Sequence, residues 1–378
     1  PEGVEIISDY LFYGLSHIQS VEIPNSVTSI GSYAFKDCDG LPSVEIPNSV
    51  ISIGSQAFSG CSGLTSVEIP NSVTSIGRDA FSYCPGLTGI LTLPSSLNSI
   101  GDGAFANTKY KVCRVLIEEP VLLKSGTFPS NLETLIVPSG TKDAYKSALI
   151  WKDIELIVEE GSCEIEVSNP TAGQLMTVIA TEARQTPALV TGMKVSGTLN
   201  DTDLAAIKSN MTSLLHLDIS ETDYTALPDK AFKDKMTLLD IKLPKGLKSI
   251  GAEAFSGCVA LEDTIEVPTT VTSIGNSAFN RCSGLTTATL PTTLTSIPSN
   301  LFYGCQKLAE FEFPTAITMI GNDAFYGCSS LTTIDLKEST SLASIGSGAF
   351  TNCSKIGNTI CNFKYYSIGV ERKKTNIK

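Results

Sequence analysis

Apolar residues recur along this chain in a fixed order that fits neither one helical period nor one strand period. Within "LTSVEIPNSVTSIGRDAFSYC", residues 64–84, the apolar positions are Leu64, Val67, Ile69, Val73, Ile76, Ala80, Phe81 and Cys84. Only the first part alternates as a strand does, with Val67 and Ile69 on one face and Glu68 on the other. The pattern therefore predicts a coil that begins with a strand and then bends.

This unit is repeated along most of the chain. It is written three times in near-identical form from residues 21, 44 and 67, and only polar positions drift. A unit of this length cannot enclose a core, so each copy must be covered by the next. The sequence predicts an α/β repeat solenoid with one short parallel strand per coil of 23–25 residues, in two arrays. The repeated phenylalanines are Phe12, Phe35, Phe58, Phe81 and Phe105, then Phe232, Phe255, Phe279, Phe302, Phe325 and Phe350.

The pattern changes at three places, and these changes predict the domain boundaries. After residue 113 the phenylalanine–cysteine turns disappear, and "SGTKDAYKSALIWKD" has the spacing of a short amphipathic helix that could cover the last coil. "NDTDLAAIKSN" predicts a second helix, in an entry unit. We therefore predict a first array with a helical cap over 1–160, a connector over 161–190, a second array with its entry unit over 191–355, and a terminal cap or tail over 356–378.

These units resemble the leucine-rich repeats of the BspA type of bacterial surface protein. The stretches "LTSVEIPNSVTSIGRDAFSYC" and "LTTIDLKESTSLASIGSGAFTNC" carry the resemblance, which covers roughly residues 1–158 and 191–355. "VPSGTKDAYKSALIWKDI" is similar to a closing unit of such proteins in Bacteroidetes. The resemblance implies a leucine-rich-repeat, right-handed superhelix, exported to the cell surface or beyond it, that acts in adhesion.

Composition narrows the function classes. A net charge of −12 argues against a nucleic-acid partner, because a surface that tracks phosphates needs clustered lysine and arginine. The chain contains no transmembrane run and no signal peptide. Because it starts at Pro1 inside a repeat, we expect a processed or truncated product.

Eight of the eleven cysteines stand three residues after a repeat phenylalanine. Equivalent residues of stacked coils lie about 4.8 Å apart on parallel vectors, whereas a disulfide needs converging Cβ atoms. We therefore predict buried free thiols at these positions and no zinc site, since zinc needs four converging ligands. The pairing of Cys113, Cys163 and Cys361 stays open. The eight are Cys38, Cys61, Cys84, Cys258, Cys282, Cys305, Cys328 and Cys353.

Nothing in the sequence favours catalysis. His17 and His216 are the only histidines, and they stand far apart in the repeat order. No glycine-rich phosphate loop follows a strand and opens a helix. We predict that the protein is not an enzyme and that it uses no cofactor or metal.

Function is expected at the positions that drift, because the constant positions are committed to packing. On the outer strand face, one row of the first array reads Glu22, Glu45, Glu68, Thr92, Leu116, Ile136 and Ile157, and the same row of the second reads Lys194, Asp218, Lys242, Glu266, Thr289, Glu312 and Asp335. The three glutamates could chelate a cation or meet a basic partner, but we favour a face that is only solvated, since their repulsion in water is weak and one row does not supply the oxygen ligands that calcium needs. The apolar row must be covered by the connector or by a partner, and we expect the connector. The candidate partner-binding face comprises Glu22, Glu45, Glu68, Leu116, Ile136, Ile157, Lys242, Glu266, Glu312 and Asp335.

Two functional hypotheses follow. The first is a cell-surface or secreted solenoid for binding or adhesion, which recognises a protein or glycan of a host or microbial surface through its strand face. The alternative is a structural spacer that carries another module and has no ligand of its own. The near-identity of the first three units, including their exposed positions, favours the spacer, whereas the varied outer face of the second array favours binding.

Overall fold

The chain forms two compact units, Pro1–Ser162 and Cys163–Lys378. The structure is a computed structural model that describes residues 3–124, 126–169 and 171–356. Each unit is described by itself.

The first unit is built from short parallel strands. They are β1 (Ile6–Ile7), β2 (Ser29–Ile30), β3 (Ser43–Val44), β4 (Ser52–Ile53), β5 (Ser66–Val67), β6 (Ser75–Ile76), β7 (Thr88–Leu93), β8 (Ser99–Ile100), β9 (Lys109–Val115), β10 (Thr134–Val137) and β11 (Leu156–Glu159). Helix α1 (Lys142–Ser147) and a 3-10 turn (Trp151–Asp153) lie between β10 and β11. The sheet orders are β1-β2-β4-β6-β8, β3-β5 and β11-β10-β9-β7.

The second unit begins with longer elements and continues with short ones. Its strands are β12 (Glu164–Asn169), β13 (Gly192–Gly197), β14 (His216–Thr222), β15 (Ala226–Leu227), β16 (Asp240–Lys242), β17 (Ser249–Ile250), β18 (Asp263–Glu266), β19 (Ser273–Ile274), β20 (Leu285–Thr289), β21 (Ser296–Ile297), β22 (Glu310–Phe311), β23 (Met319–Ile320) and β24 (Ser344–Ile345). Helix α2 (Leu175–Thr181) and a 3-10 turn (Pro187–Leu189) precede β13, and helix α3 (Asp201–Asn210) follows it. The sheet orders are β12-β13-β14-β16, β15-β17-β19, β18-β20-β22 and β21-β23-β24.

The predicted fold class is confirmed: successive coils stack through parallel strands at a spacing of about 23 residues in a leucine-rich-repeat arrangement, and the helix content is low. The structure adds a second strand segment to many coils, just before the repeat glycine. The backbones of successive coils come so close together here that a Cβ atom on Gly77 would lie 2.5 Å from the carbonyl carbon of Gly54. Only glycine permits this approach, which explains why the residue is constant.

The core of each unit contains a column of aromatic rings. Phe35, Phe58 and Phe81 are fully buried, and their ring centroids follow each other at 5.0 and 5.2 Å with the rings nearly parallel. The column continues through Phe128, at 6.3 Å from Phe105, and ends on Trp151 at 5.1 Å from Phe128. Offset stacking of this kind adds to the free energy gained from burial. The stack therefore persists beyond residue 113, where the sequence pattern degrades.

The eight repeat cysteines are buried and free, as predicted. Each thiol donates a hydrogen bond to the carbonyl oxygen of the phenylalanine in the preceding coil, for example Cys61 to Phe35 at 3.0 Å and Cys305 to Phe279 at 3.1 Å. A cysteine suits this position because it packs as a small apolar side chain and still satisfies a buried carbonyl group. Cys113 and Cys163 are also free, and Cys361 lies outside the described residues.

Helical segments lie at the C-terminal end of the first array and in the entry region of the second. In the predicted cap, α1 buries Tyr145, whose hydroxyl donates to the carbonyl of Ile117 at 2.8 Å, and Trp151 Nε1 donates to that of Val121 at 2.8 Å. The predicted entry helix is α3, which begins with a capping box between Asn200 and Asp203.

The segment predicted as a connector contains regular structure. Residues 164–169 form β12, which pairs in parallel with β13, and α2 contacts both β12 and α3. These residues therefore form the first coil of the second unit. The predicted tail, 356–378, lies outside the described residues except for residue 356.

Candidate partner-binding face

The acidic row of the first unit lies on the solvent side of the strands. Glu45 and Glu68 directly follow the paired residues Val44 and Val67, and Glu22 holds the same place in the coil before them. All three side chains are exposed, and stacked coils place them about 4.8 Å apart. Within residues 3–124, 126–169 and 171–356, neither Glu22 nor Glu68 forms an ion pair with a basic side chain. Three residues of like charge therefore follow one another in this row, and like charges at directly opposed positions destabilise a sheet slightly.

The row continues differently from the prediction. Strand pairing joins Thr92 to Arg114, Arg114 to Ile136 and Ile136 to Val158, so the row advances by 22 residues in each step. The predicted inclusion of Leu116 and Ile157 is wrong. A bulge in the pairing between Gly89 and Ile90 leaves an extra residue in β9, so Thr92 lies opposite Arg114 instead of Cys113.

Ile157 faces the core, and Leu116 lies beyond the end of β9. Ile157 pairs with Leu135 and is part of the apolar core of the first unit, while Leu116 is half-buried. Of the three apolar residues predicted for the row, only Ile136 therefore belongs to it.

The apolar part of this row, which we expected the connector to cover, is buried, and no contact between described residues identifies the connector as its cover. Ile136 and Val158 are fully buried. Nε of Arg114 on β9 lies 2.7 Å from Oε1 of Glu160, which directly follows β11, so this ion pair reaches across the strand that carries Ile136. This end of the row is therefore closed to a partner in the structure.

The corresponding row of the second unit alternates in charge. Lys194 pairs in register with Asp218, and Asp218 pairs with Lys242. Nζ of Lys194 lies 2.7 Å from Oε1 of Glu166 on β12, and Nζ of Lys242 lies 3.2 Å from Oδ2 of Asp218. Burial opposes ionisation of Asp218, but hydrogen bonds from Ser220 and the Lys242 ammonium outweigh it and lower the pKa of this carboxyl.

Two further polar contacts flank this row. Lys245 pairs with Glu221, and Nδ1 of His216 contacts Asp240 on the next strand. Exposed pairs of this kind each contribute little to stability. The predicted residues Lys242, Glu266, Glu312 and Asp335 are all exposed, and Glu266 pairs in register with Thr289. The face of the second unit is thus largely neutralised by its own side chains in its first strands.

Sequence reasoning missed one unusual side chain. Lys235 stands three residues after Phe232, where the other coils of this unit have cysteine, and it is buried. Its Nζ donates a hydrogen bond to the carbonyl of Met211, which closes the C-terminus of α3, where the helix dipole favours a cation. Desolvation lowers the pKa of Lys235 to about 8. The sequence does indicate this exception, because "AFKDKM" contains the repeat phenylalanine but has lysine where other coils have cysteine.

Replacing Lys235 with methionine is expected to remove a pH-dependent part of the stability. The pKa of this amine in the folded state lies below its ordinary value of 10.5, so between about pH 8 and pH 10.5 the unfolded chain binds the extra proton and stability rises with pH. The rise is about 1.4 kcal/mol per pH unit. The difference in unfolding free energy between Lys235→Met and the parent should therefore shift in favour of the parent as the pH rises. Urea titrations followed by circular dichroism at pH 7, 9 and 10 measure it.

The matched control is Lys248→Met, which removes an exposed ammonium directly before β17. Its difference from the parent should stay constant over the same range. A constant difference for Lys235→Met as well would contradict a lowered pKa at this position.

The described part of the chain holds no group of three or more histidine, cysteine, aspartate or glutamate side chains that could bind a metal ion. Among the same residues, no helix has the length and apolar character needed to cross a bilayer.

Comparison with known proteins agrees with the repeat geometry. A family model described as "BspA type Leucine rich repeat region (6 copies)" matches residues 5–134 and 225–357. The chain therefore belongs to the BspA-type leucine-rich repeat family. No curated protein matches it.

Several solved bacterial structures are similar to the chain. A leucine-rich repeat protein from Bacteroides ovatus is 22% identical, with 91% of this chain and 87% of that chain covered and a TM-score of 0.31. A leucine-rich cell surface protein from Faecalibacterium prausnitzii is 24% identical, with 94% and 82% covered and a TM-score of 0.29. A leucine-rich repeat protein from Eubacterium ventriosum is 22% identical, with 88% and 87% covered and a TM-score of 0.33.

Proposed function

We propose that the protein is a non-enzymatic binding solenoid, displayed at the cell surface or secreted, which recognises a protein or glycan through the strand face of its first unit. Family membership supports a repeat scaffold suited to binding. The partner is expected to come from a host or microbial surface, and its contact region to be basic.

The observation that carries this proposal is the difference in charge between the two units. In the second unit, Lys194 and Lys242 alternate with Glu166 and Asp218 along the row, which shows that this sheet position can be neutralised. In the first unit the same position holds glutamate in three successive coils, and Glu22 and Glu68 form no ion pair with a basic side chain among the described residues. A basic partner would neutralise the carboxylates and supply electrostatic complementarity.

Changing Glu22, Glu45 and Glu68 together to lysine is expected to abolish or strongly weaken binding to such a partner. The parent and the triple variant are screened in parallel against a glycan array and a panel of immobilised matrix proteins. Because the three side chains are exposed, stability should change by less than about 0.5 kcal/mol per site. Parent binding should weaken as salt rises, since the charges are solvent-exposed.

The matched control changes Asn25, Asn48 and Asn71 to lysine, which adds cations in the same three coils three residues further along the chain, where the side chains are also exposed. Binding by this control should remain closer to that of the parent. If the glutamate variant binds every ligand of the parent equally well, the acidic row is only a solvated face and the proposal fails.

The alternative is a structural spacer that carries another module. It is favoured by the near-identity of the first three units, which extends to their exposed glutamate and asparagine positions. A spacer predicts that neither the parent nor any variant retains a ligand in these screens.

A further inference from the structure

The first strand of the second unit is an open sheet edge. β12 pairs with β13 over its whole length, from Glu164 opposite Gly192 to Asn169 opposite Gly197, and it stands at the end of the order β12-β13-β14-β16. Of the other strands that end a sheet, β1 and β24 have two residues each and β11 has four, while β7 has six as β12 does. An edge of six residues is long enough to pair with another chain, and proteins usually protect such edges.

The backbone groups of three residues on this edge point away from β13. The carbonyls of Cys163 and Asn169 accept hydrogen bonds from the β13 side, so the odd-numbered residues of this parallel ladder face β13. The N–H and C=O groups of Glu164, Glu166 and Ser168 consequently face outward. No backbone hydrogen bond between described residues uses these groups. They form a ready template for one more strand.

The side chains along the edge have a matching pattern. Glu164, Glu166 and Ser168 are exposed on the outer face. Val167 is buried, and Ile165 is only partly buried although it packs on the core. An added strand would cover Ile165 with an apolar residue and would place its alternate side chains beside the two glutamates.

We propose that the free edge of β12 is a docking site for an extended basic peptide segment, which adds to the sheet as a parallel strand. The main-chain hydrogen bonds supply affinity, and alternating basic and apolar side chains supply specificity. The residues of this site are not those of the acidic row of the first unit, and the proposal does not depend on the function proposed for that row.

Charge complementarity selects the basic peptide as the occupant. The row that contains Glu166 continues with Lys194, Asp218 and Lys242, so the sign of the charge alternates from strand to strand. A strand added beside β12 would continue this alternation if it placed a cation opposite Glu166. A second copy of β12 would instead bring glutamates beside glutamates, which is unfavourable.

The test uses the full chain and a synthetic heptapeptide of alternating lysine and valine, acetylated and amidated at its ends. Calorimetric titration measures binding, and amide hydrogen exchange locates it. Binding should slow exchange in residues 163–169. In Ser168→Pro, the outward N–H is lost while the ladder to β13 is kept, since proline is tolerated where the N–H faces solvent. We expect affinity to fall about three- to tenfold for the loss of this one hydrogen bond.

Two controls keep the result interpretable. A peptide N-methylated at the residues that face β12 keeps its charges but should not bind. Glu164→Lys combined with Glu166→Lys leaves the backbone unchanged and should also weaken binding, so it carries the test if circular dichroism shows that Ser168→Pro does not fold.

Three results would overturn the proposal. They are equal affinity of the parent and both variants, exchange protection that appears in residues 20–70 instead of 163–169, and a dimer of the parent alone in sedimentation that Ser168→Pro abolishes. The second would place the peptide on the acidic row, and the third would assign the edge to a second copy of the chain.

Discussion

Replacing Phe81 with alanine is expected to lower the unfolding free energy of the first unit by about 3 to 5 kcal/mol. The ring is fully buried, with its centroid 5.2 Å from that of Phe58 and 5.5 Å from that of Phe105. The change leaves a cavity in the middle of the column and removes both stacking contacts. Because each coil contacts only its neighbours, the coils on the two sides of the gap lose part of their common interface.

Trp151 provides a local readout of this effect. It is the only tryptophan in the chain, it is buried, and its ring lies against Phe128 at the end of the same column. Its fluorescence in a urea titration follows the first unit. The control is Tyr83→Ala, two residues away, which removes a side chain that is 64% exposed and should cost less than about 0.5 kcal/mol. Equal urea midpoints for the two variants would show that the column does not hold the unit together.

Raising the pH above 9 is expected to destabilise the first unit steeply. Burial raises the pKa of the thiols of Cys61 and Cys113, and that of Cys84 to about 12. In the unfolded chain these thiols ionise near their ordinary value of 9.0, while the folded unit keeps them protonated. The unfolded state therefore binds fewer protons above pH 9, and stability falls by about 1.4 kcal/mol per pH unit for each thiol. Since the unfolded thiols are only half ionised at pH 9 and reach this slope at higher pH, the expected loss for three thiols is about 3 kcal/mol between pH 9 and pH 10.

The experiment is a set of urea titrations at pH 8, 9 and 10 in the presence of a reductant, followed by Trp151 fluorescence. Cys61→Ser is the matched variant, because a hydroxyl can still donate to the carbonyl of Phe35 but does not titrate in this range. The unfolding free energy of this variant should fall less steeply with pH than that of the parent, because it has one titrating thiol fewer. The same pH dependence in the parent and in Cys61→Ser would mean that this thiol ionises in the folded state.

The repeat pattern predicts which side chains pack in the core, but it does not determine which residues of neighbouring strands pair. Buried positions such as Phe81 and Cys84 stand out in the sequence because most coils have the same apolar residue there. The strand register on the outer face was harder to predict from the sequence, because it depends on counting residues through coils of unequal length. Strand pairing gives steps of 22 residues here, from Thr92 to Arg114 and from Ile136 to Val158, whereas counting along the repeat pattern had placed Leu116 and Ile157 in the row.

Features that occur once were harder to derive than features that repeat. β12 has no equivalent in the repeat pattern, and only its pairing with β13 reveals a strand at residues 164–169. The burial of Lys235 depends on the carbonyl of Met211 at the end of α3, a partner that no local pattern identifies. The binding role of the acidic row remains a proposal, since exposure and charge do not define a ligand.

The uniform step between early coils of the first unit has a consequence for how such an array can evolve. Ser29, Ser52 and Ser75 pair in sequence, and each stands 23 positions from the next, as do the rings of Phe35, Phe58 and Phe81. Recombination that deleted or duplicated one such unit would join surfaces that already fit, so no compensating substitution would be required. Array length, and with it the number of carboxylates displayed in the acidic row, can therefore change in a single genetic event.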